Sequence, residues 1–375
     1  MIDALEGLYD SRATDPRART FIPVAMARLS LWAGDAGGAD DKVLFGLQDR
    51  VMDLLTKDLT ARSSGAMGAI HREALVEALG LLGTCAPDKR QAAARDALGT
   101  VMKSGQEREA GLAAIALARI AARGPIPAGD VTLAIRSELG TRCLNGKPSL
   151  RPWALLALGL LEGERLAAGA APALGTQALL ETRLEAANSP EERSAAAVAL
   201  GLSRNAKAAQ KVLEGTTKGD FRIRGLHAMA LALMGNKDAV SEMRKIVSSG
   251  VYRPYLERDV ATALALLGDV QLAATLASKL RTARFMPEKV AALQALAWCR
   301  DTTAVGPLLQ VVNARRVGGS RVDDTTRAFA IAALGALAAK KPIQWNVPFA
   351  ESIPWPAAPA TLTDPERGGG VLDLF

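Results

Sequence analysis

The stretch from Asp220 to Val247, DFRIRGLHAMALALMGNKDAVSEMRKIV, decides the fold. It reads as an Ala/Leu-rich helix, a Gly-Asn turn and a second amphipathic helix. Small alanines let two helices approach closely, while Leu231, Leu233 and Met234 supply apolar area on the inward stripe. Gly235 ends the first helix, because a residue without a Cβ takes the left-handed conformation there at little cost. Asn236 suits the turn or the N-cap of the next helix, in which Val240, Met243, Ile246 and Val247 keep helical spacing.

The unit recurs along the chain. Counterparts of Ala230-Leu231-Ala232-Leu233 begin at Ala78, Ala116, Ala157, Ala199, Ala263, Ala295 and Ala333, with spacings of 38, 41, 42, 31, 33, 32 and 38 residues between successive copies. Such periods belong to stacked helix pairs, since no single pair buries both of its faces. Asn205, Asp269 and Asp301 stand where Asn236 does, and Leu272, Leu276 and Leu280 repeat the spacing of the second helix. The spacing is tightest between Ala199 and Ala295, so the most regular part is expected there.

Composition agrees with an all-helical interior. The 375 residues are 49% hydrophobic but only 4% aromatic, so the core is built from Ala, Leu and Val rather than from the aromatic and β-branched residues of a sheet. The net charge of +7 is unevenly placed. Residues 1 to 60 carry seven Lys/Arg against ten Asp/Glu, whereas residues 281 to 322 carry seven against two, an asymmetry that attracts acidic partners. Cys85, Cys143 and Cys299 are odd in number and far apart, which predicts buried or shielded free thiols and favours a reducing compartment. No run approaches the roughly eighteen apolar residues of a membrane span. Membrane insertion is therefore not expected. A cytoplasmic location is favoured, with a periplasmic or secreted one open should a targeting segment have preceded Met1.

Outside the regular units, residues 1 to 59 read as degenerate N-terminal capping helices: a short one from Ile2 to Tyr9, a longer one after Asp15-Pro16, and a strongly periodic one from Lys42 to Leu59. The loop Gly34 to Asp41 separates the last two. Residues 60 to 341 form the repeat array, interrupted by Gly124-Pro125-Ile126-Pro127 and by the turn Asn145-Gly146-Lys147-Pro148. Arg315-Arg316-Val317-Gly318-Gly319-Ser320-Arg321 reads as an Arg/Gly loop before a last core helix from about Asp324 to Lys340. Residues 342 to 375, with six prolines and a Gly368-Gly369-Gly370 run, form an extended tail. Its Trp345, Trp355, Leu372, Leu374 and Phe375 are candidate docking residues, onto the last repeats or onto a partner.

The runs RSAAAVALGLSRNAKAAQKVL (Arg193 to Leu213), RGLHAMALALMGNKDAVSEMRKIV (Arg224 to Val247) and EKVAALQALAWCRDTTAVGPLLQVV (Glu288 to Val312) resemble HEAT repeats, especially the short bacterial HEAT-like type also found in phycobilin lyases. The resemblance covers about residues 60 to 340. It implies an all-α, right-handed α-solenoid of about eight or nine stacked antiparallel helix pairs, used chiefly as an interaction surface.

Setting the copies in register brings out a polar position six residues before each core Ala. It holds Arg72, Ala110, Arg151, Arg193, Arg224, Glu257, Lys289 and Arg327, and in a stacked array these residues lie about 10 Å apart, one above another. Two readings of this basic ladder stand side by side. One is an internal ladder bonded to helix ends or to Glu109, Glu192 and Glu288. The other is a partner-binding wall formed by Arg72, Arg151, Arg193, Arg224, Lys289 and Arg327, since a guanidinium grips carboxylate or phosphate through paired hydrogen bonds. If the resemblance holds, that wall lies on a concave face.

Enzymatic signals are weak. His71 and His227 lie on different repeats, and neither HExxH nor CxxC occurs, so neither a metal nor another cofactor is expected. Gly140 to Lys147 (GTRCLNGK) has the wrong spacing for a phosphate loop, and Pro148 stands where Ser or Thr is needed. A bilin-lyase role would ask for a groove residue such as His227. Trp153 and Trp298 read as core or seam residues rather than a base-stacking site. The sequence therefore predicts no enzyme but a scaffold or adaptor that binds a protein partner, by an acidic or extended segment on the concave face or through the tail. The alternative is a nucleic-acid-binding HEAT-like protein that contacts phosphates through the ladder.

Overall fold

In a computed structural model of the chain, the described residues are 2–11, 14–35, 41–61, 66–218, 221–248, 254–283, 285–298 and 302–338. They are helical throughout, apart from turns and one two-stranded hairpin. The described residues divide into two units, one up to Leu179 and one from Leu180 onward. No described helix is long and apolar enough to cross a membrane. Asp301, Trp345, Trp355, Leu372, Leu374 and Phe375 lie outside the described residues.

The first unit begins with α1 (Ile2–Asp10), α2 (Pro16–Arg19), α3 (Ile22–Asp35), α4 (Asp41–Thr60) and α5 (Ala66–Leu82). The single longer helix expected after Asp15-Pro16 is instead broken between Arg19 and Ile22. Pro23 explains the break: it has no N–H to continue a helix from α2, but it fits the first turn of a new one. Of the periodic face expected in α4 at Leu44, Leu47, Val51, Leu54 and Leu55, Val51 and Leu55 are buried and Leu47 and Leu54 half-buried.

The unit continues with α6 (Lys89–Ser104), α7 (Glu107–Ala122), α8 (Asp130–Asn145), α9 (Arg151–Ala167) and α10 (Leu174–Ala186). Helices α3, α5, α7 and α9 pack successively on one another, and α4, α6 and α8 pack on α5, α7 and α9 respectively. The reason for the Ala/Gly core is visible at one contact: a Cβ on Gly80 of α5 would stand 2.7 Å from the Cβ of Ala116, the first core residue of α7. Trp153, expected in the core, is buried against Gly111, where a Cβ would come within 2.5 Å of its ring.

Arginines close the ends of this row. Arg165 of α9 is buried and donates to the carbonyls of Gly124 (3.3 Å) and Pro125 (3.0 Å), just beyond α7. The more exposed Arg123 donates to the Leu81 and Gly83 carbonyls at 2.6 and 2.8 Å, just at the end of α5. Terminal carbonyls have no partner within their own helix, and their partial negative charge favours a cation. Arg165→Met is expected to lower unfolding stability by about 2–3 kcal/mol, because it removes a buried charged donor and both of its bonds to helix-end carbonyls. Arg123→Met, at an exposed residue where water takes over the Leu81 carbonyl though not that of buried Gly80, should cost less, about 1 kcal/mol. Denaturant melts of the two variants test the order, and equal losses would contradict this account.

The second unit contains α11 (Pro190–Leu202), α12 (Ala209–Lys218), α13 (Phe221–Leu233), α14 (Val240–Ser248), α15 (Pro254–Leu266), α16 (Leu272–Thr282), α17 (Met286–Trp298) and α18 (Val305–Asn313). The strands β1 (Arg316–Val317) and β2 (Ser320–Arg321) and the helix α19 (Asp324–Ala338) follow. Here α11, α13, α15, α17 and α19 pack successively, with α12, α14, α16 and α18 each against the next of them.

Three core helices in this unit end the same way. The amide of Asn205 donates to Leu200, that of Asn236 to Leu231 and that of Asp269 to Leu264, each at 3.0 Å. The residue before it has positive φ: Arg204 (51°), Gly235 (71°) and Gly268 (73°). This is the Schellman closure expected of Gly235. The side chains of Asn205, Asn236 and Asp269 then accept from the amides of Lys207, Ala239 and Gln271, so the same residue closes one helix and starts the next turn.

The stretch expected as an Arg/Gly loop folds as a hairpin. Arg316 pairs with Arg321, Val317 with Ser320, and Gly318 and Gly319 both have positive φ (57° and 83°). Two consecutive residues of positive φ make the turn whose twist matches an antiparallel pair. The Gly-Gly pair was the available signal, but strands of two residues are too short to show alternation.

Candidate functional site

The six ladder residues all sit near the start of a core helix, and each donates inward. Arg72 bonds the carbonyls of Leu59 (2.9 Å) and Ala61 (3.3 Å), and its Nε lies 3.3 Å from Glu109. Arg151 bonds Gly146 (3.0 Å), Arg193 bonds Ala187 (2.9 Å), Arg224 bonds Thr216 (2.7 Å) and Arg327 bonds Val312 (2.9 Å). Every one of these carbonyls lies in the last turn of the preceding helix or just past it. Five arginines thus perform one repeated task, holding the end of one helix to the start of the next.

The non-arginine positions of the register behave differently. Lys289 is buried and its Nζ donates to the Arg321 carbonyl at 3.0 Å, while Glu257 pairs with Lys279 at 2.6 Å. Of the acids expected to serve the ladder, Glu109 does so, whereas Glu192 pairs with Arg183. Sequence reading missed a second buried row in the first unit. Burial pushes the Glu77 carboxyl up to about 7, against the pull of Arg119 and Arg28, and the same desolvation brings Arg119 down to about 10. The signal was a charge inside an apolar run, immediately before Ala78.

His71 is half-buried and His227 is buried. His71 Nε2 is 2.9 Å from the hydroxyl of buried Tyr9, which donates to Asp58 at 2.5 Å. Burial outweighs the opposing Asp58 charge and, with a smaller push from Arg19, lowers the His71 pKa. His227 is 1% exposed, which removes it as a groove residue. Among the described residues no group of His, Cys, Asp and Glu is arranged to hold a metal ion. Cys143 is buried, and Cys85 donates to the Ile120 carbonyl at 3.2 Å; both are free thiols, as expected.

Three uncommitted arginines stand together at the hairpin. Arg315, Arg316 and Arg321 are exposed and carry no side-chain hydrogen bond or ion pair among the described residues. With Val322, Asp324 and Arg327 they line a cleft of about 410 Å³. Arg327 is the one ladder residue that reaches it, and its Nη1 pairs with Asp324 at 2.8 Å. Asp323 is spent locally: the Thr326 amide (2.7 Å) and hydroxyl (2.9 Å), with Lys289 nearby, hold its carboxyl below the usual range.

The hairpin is fastened from below. Val317 and Val322 are each 5% exposed, and the Val322 amide donates to the Arg315 carbonyl at 3.0 Å. Gly318 lies so close to the end of α16 that a Cβ there would stand 1.4 Å from the Arg281 carbonyl oxygen. The arginines therefore project from a base of fixed geometry, which lowers the ordering cost of gripping an anion.

No family model matches the chain, and no curated protein matches it significantly. Among solved structures, human deoxyhypusine hydroxylase in complex with glycerol is similar at 14% identity, covering 78% of this chain and 97% of that one, with a TM-score of 0.33. An engineered protein is similar at 18% identity, covering 90% of this chain and 88% of that one, with a TM-score of 0.34. Values this low carry no argument about what the chain does.

Proposed function

We propose that this chain is a HEAT-like, right-handed solenoid of about eight or nine helix pairs, capped by residues 1 to 59 and followed by an extended tail from residue 342. Its role is that of a non-catalytic scaffold that holds an acidic segment of a partner protein. The stacking is supported by the repeated helix-end bonds of Arg72, Arg151, Arg193, Arg224 and Arg327. Because those guanidinium groups serve the fold, the contact surface is assigned to the hairpin cleft. The observation that carries this assignment is the set of three arginines, Arg315, Arg316 and Arg321, whose side chains are unbonded among the described residues and stand on a fixed base.

The test is fluorescence anisotropy with a labelled poly-glutamate peptide at low and physiological salt. The wild type is expected to bind at low salt and to weaken as salt rises. Arg315→Glu/Arg316→Glu/Arg321→Glu should bind about tenfold or more weakly, since even exposed pairs contribute up to about 1 kcal/mol each. Unchanged affinity in that variant would remove the cleft from the proposal. A random DNA duplex is titrated in parallel, and tighter binding to it than to the peptide would replace the protein partner with nucleic acid.

A further inference from the structure

We infer that the hairpin cleft takes a phosphate monoester, carried as a phosphorylated side chain on the partner's acidic segment. This deepens the proposed function and rests on it. The cross-strand register places Arg316 directly opposite Arg321. Residues so paired project from the same face of the ribbon, and like charges there oppose each other. Arg315 adds a third cation, and the remaining Nη2 of Arg327 a further donor.

Among the described residues no carboxylate is left over to neutralise this charge. Asp324 is paired with Arg327, and Asp323 accepts from Thr326. A carboxylate brings one charge and two oxygens, which occupy a single guanidinium fork. A phosphate monoester brings about −1.5 to −2 charges and three terminal oxygens, so it engages two or more forks at once. It also relieves the Arg316/Arg321 repulsion more fully. The cleft of about 410 Å³ falls within the ~300–1,000 Å³ range of ligand pockets, so it admits the group together with part of the chain that bears it.

The experiment uses the full chain and three labelled peptides of one acidic sequence, with phosphoserine, glutamate or serine at the central position. The phosphoserine peptide is expected to bind at least tenfold more tightly than the glutamate one. Inorganic phosphate should compete, and acetate at equal ionic strength should not. Arg316→Gln/Arg321→Gln, two exposed substitutions, should weaken the phosphoserine peptide far more than the glutamate one, so that the two bind alike and the preference is lost. Gly318→Ala keeps every arginine but drives a methyl into the Arg281 carbonyl, and should lose the preference through displaced geometry. Equal binding of the phosphoserine and glutamate peptides would overturn the phosphate assignment and leave the acidic-segment reading intact. Failure to bind any of the three would overturn both. Tighter binding of a single-stranded oligonucleotide than of the phosphoserine peptide would overturn the monoester in favour of a phosphodiester backbone.

Discussion

Gly215→Ala is expected to destabilise the second unit by about 2–3 kcal/mol, although alanine is the better helix former. A Cβ at this position of α12 would stand 1.7 Å from Nδ1 and 2.1 Å from Cε1 of His227, which is 1% exposed and has no room to withdraw. Overpacking of this kind costs up to about 3 kcal/mol or more, while the gain in helix propensity is about 1 kcal/mol, so the clash wins. Guanidinium denaturation of the full chain measures the loss. The double variant Gly215→Ala/His227→Ala should recover part of it, because the methyl then enters the space the ring vacates. A single variant as stable as the wild type would show that α12 and α13 are not packed as described.

The second large effect is on pH dependence. Burial pushes His227 down to about 4, and the Arg193 charge adds to the shift. Neither ring nitrogen has a hydrogen bond of good geometry, though the Val212 and Arg193 backbones lie close enough to favour the proton slightly. The folded-state pKa is thus below the ordinary value of about 6.5, so the fold favours the neutral ring. Its contribution is fully present above pH ~6.5 and is lost as pH falls through ~4, a total of about 3 kcal/mol. The measurement is the stability difference between wild type and His227→Leu from pH 7.5 to 4. It should move steadily against the wild type as pH falls, and a flat difference would rule out a buried neutral histidine.

Much of the fold was legible because it is written locally. Ala230-Leu231-Ala232-Leu233 and its copies gave the helix pairs, and the left-handed Gly235 follows from its lack of a Cβ. The pairing of Arg72 with Glu109 was within reach because the repeat register places them a unit apart. Pro23, by contrast, was outweighed by the apolar pattern on either side, so the break before α3 went unseen. The hairpin was missed because Val317 alone marks its apolar face.

The candidate site was legible as a set of residue types but not as a distribution of charge. The register gathers five arginines that share one helix-end role, yet the sequence alone could not decide whether they turn toward a partner or toward the chain. That choice depends on carbonyls such as Leu59, 13 residues before Arg72, which chain reversal brings to the guanidinium. The amino-acid sequence by itself determined the helical class, the repeat and the turns, because periodicity and Cβ sterics act over a few residues. The tertiary structure alone decided that the five ladder arginines are bonded at helix ends and that, among the described residues, the side chains of Arg315, Arg316 and Arg321 are not bonded. Hydrogen-bond satisfaction is set by what packing places beside a group, and no local pattern records it.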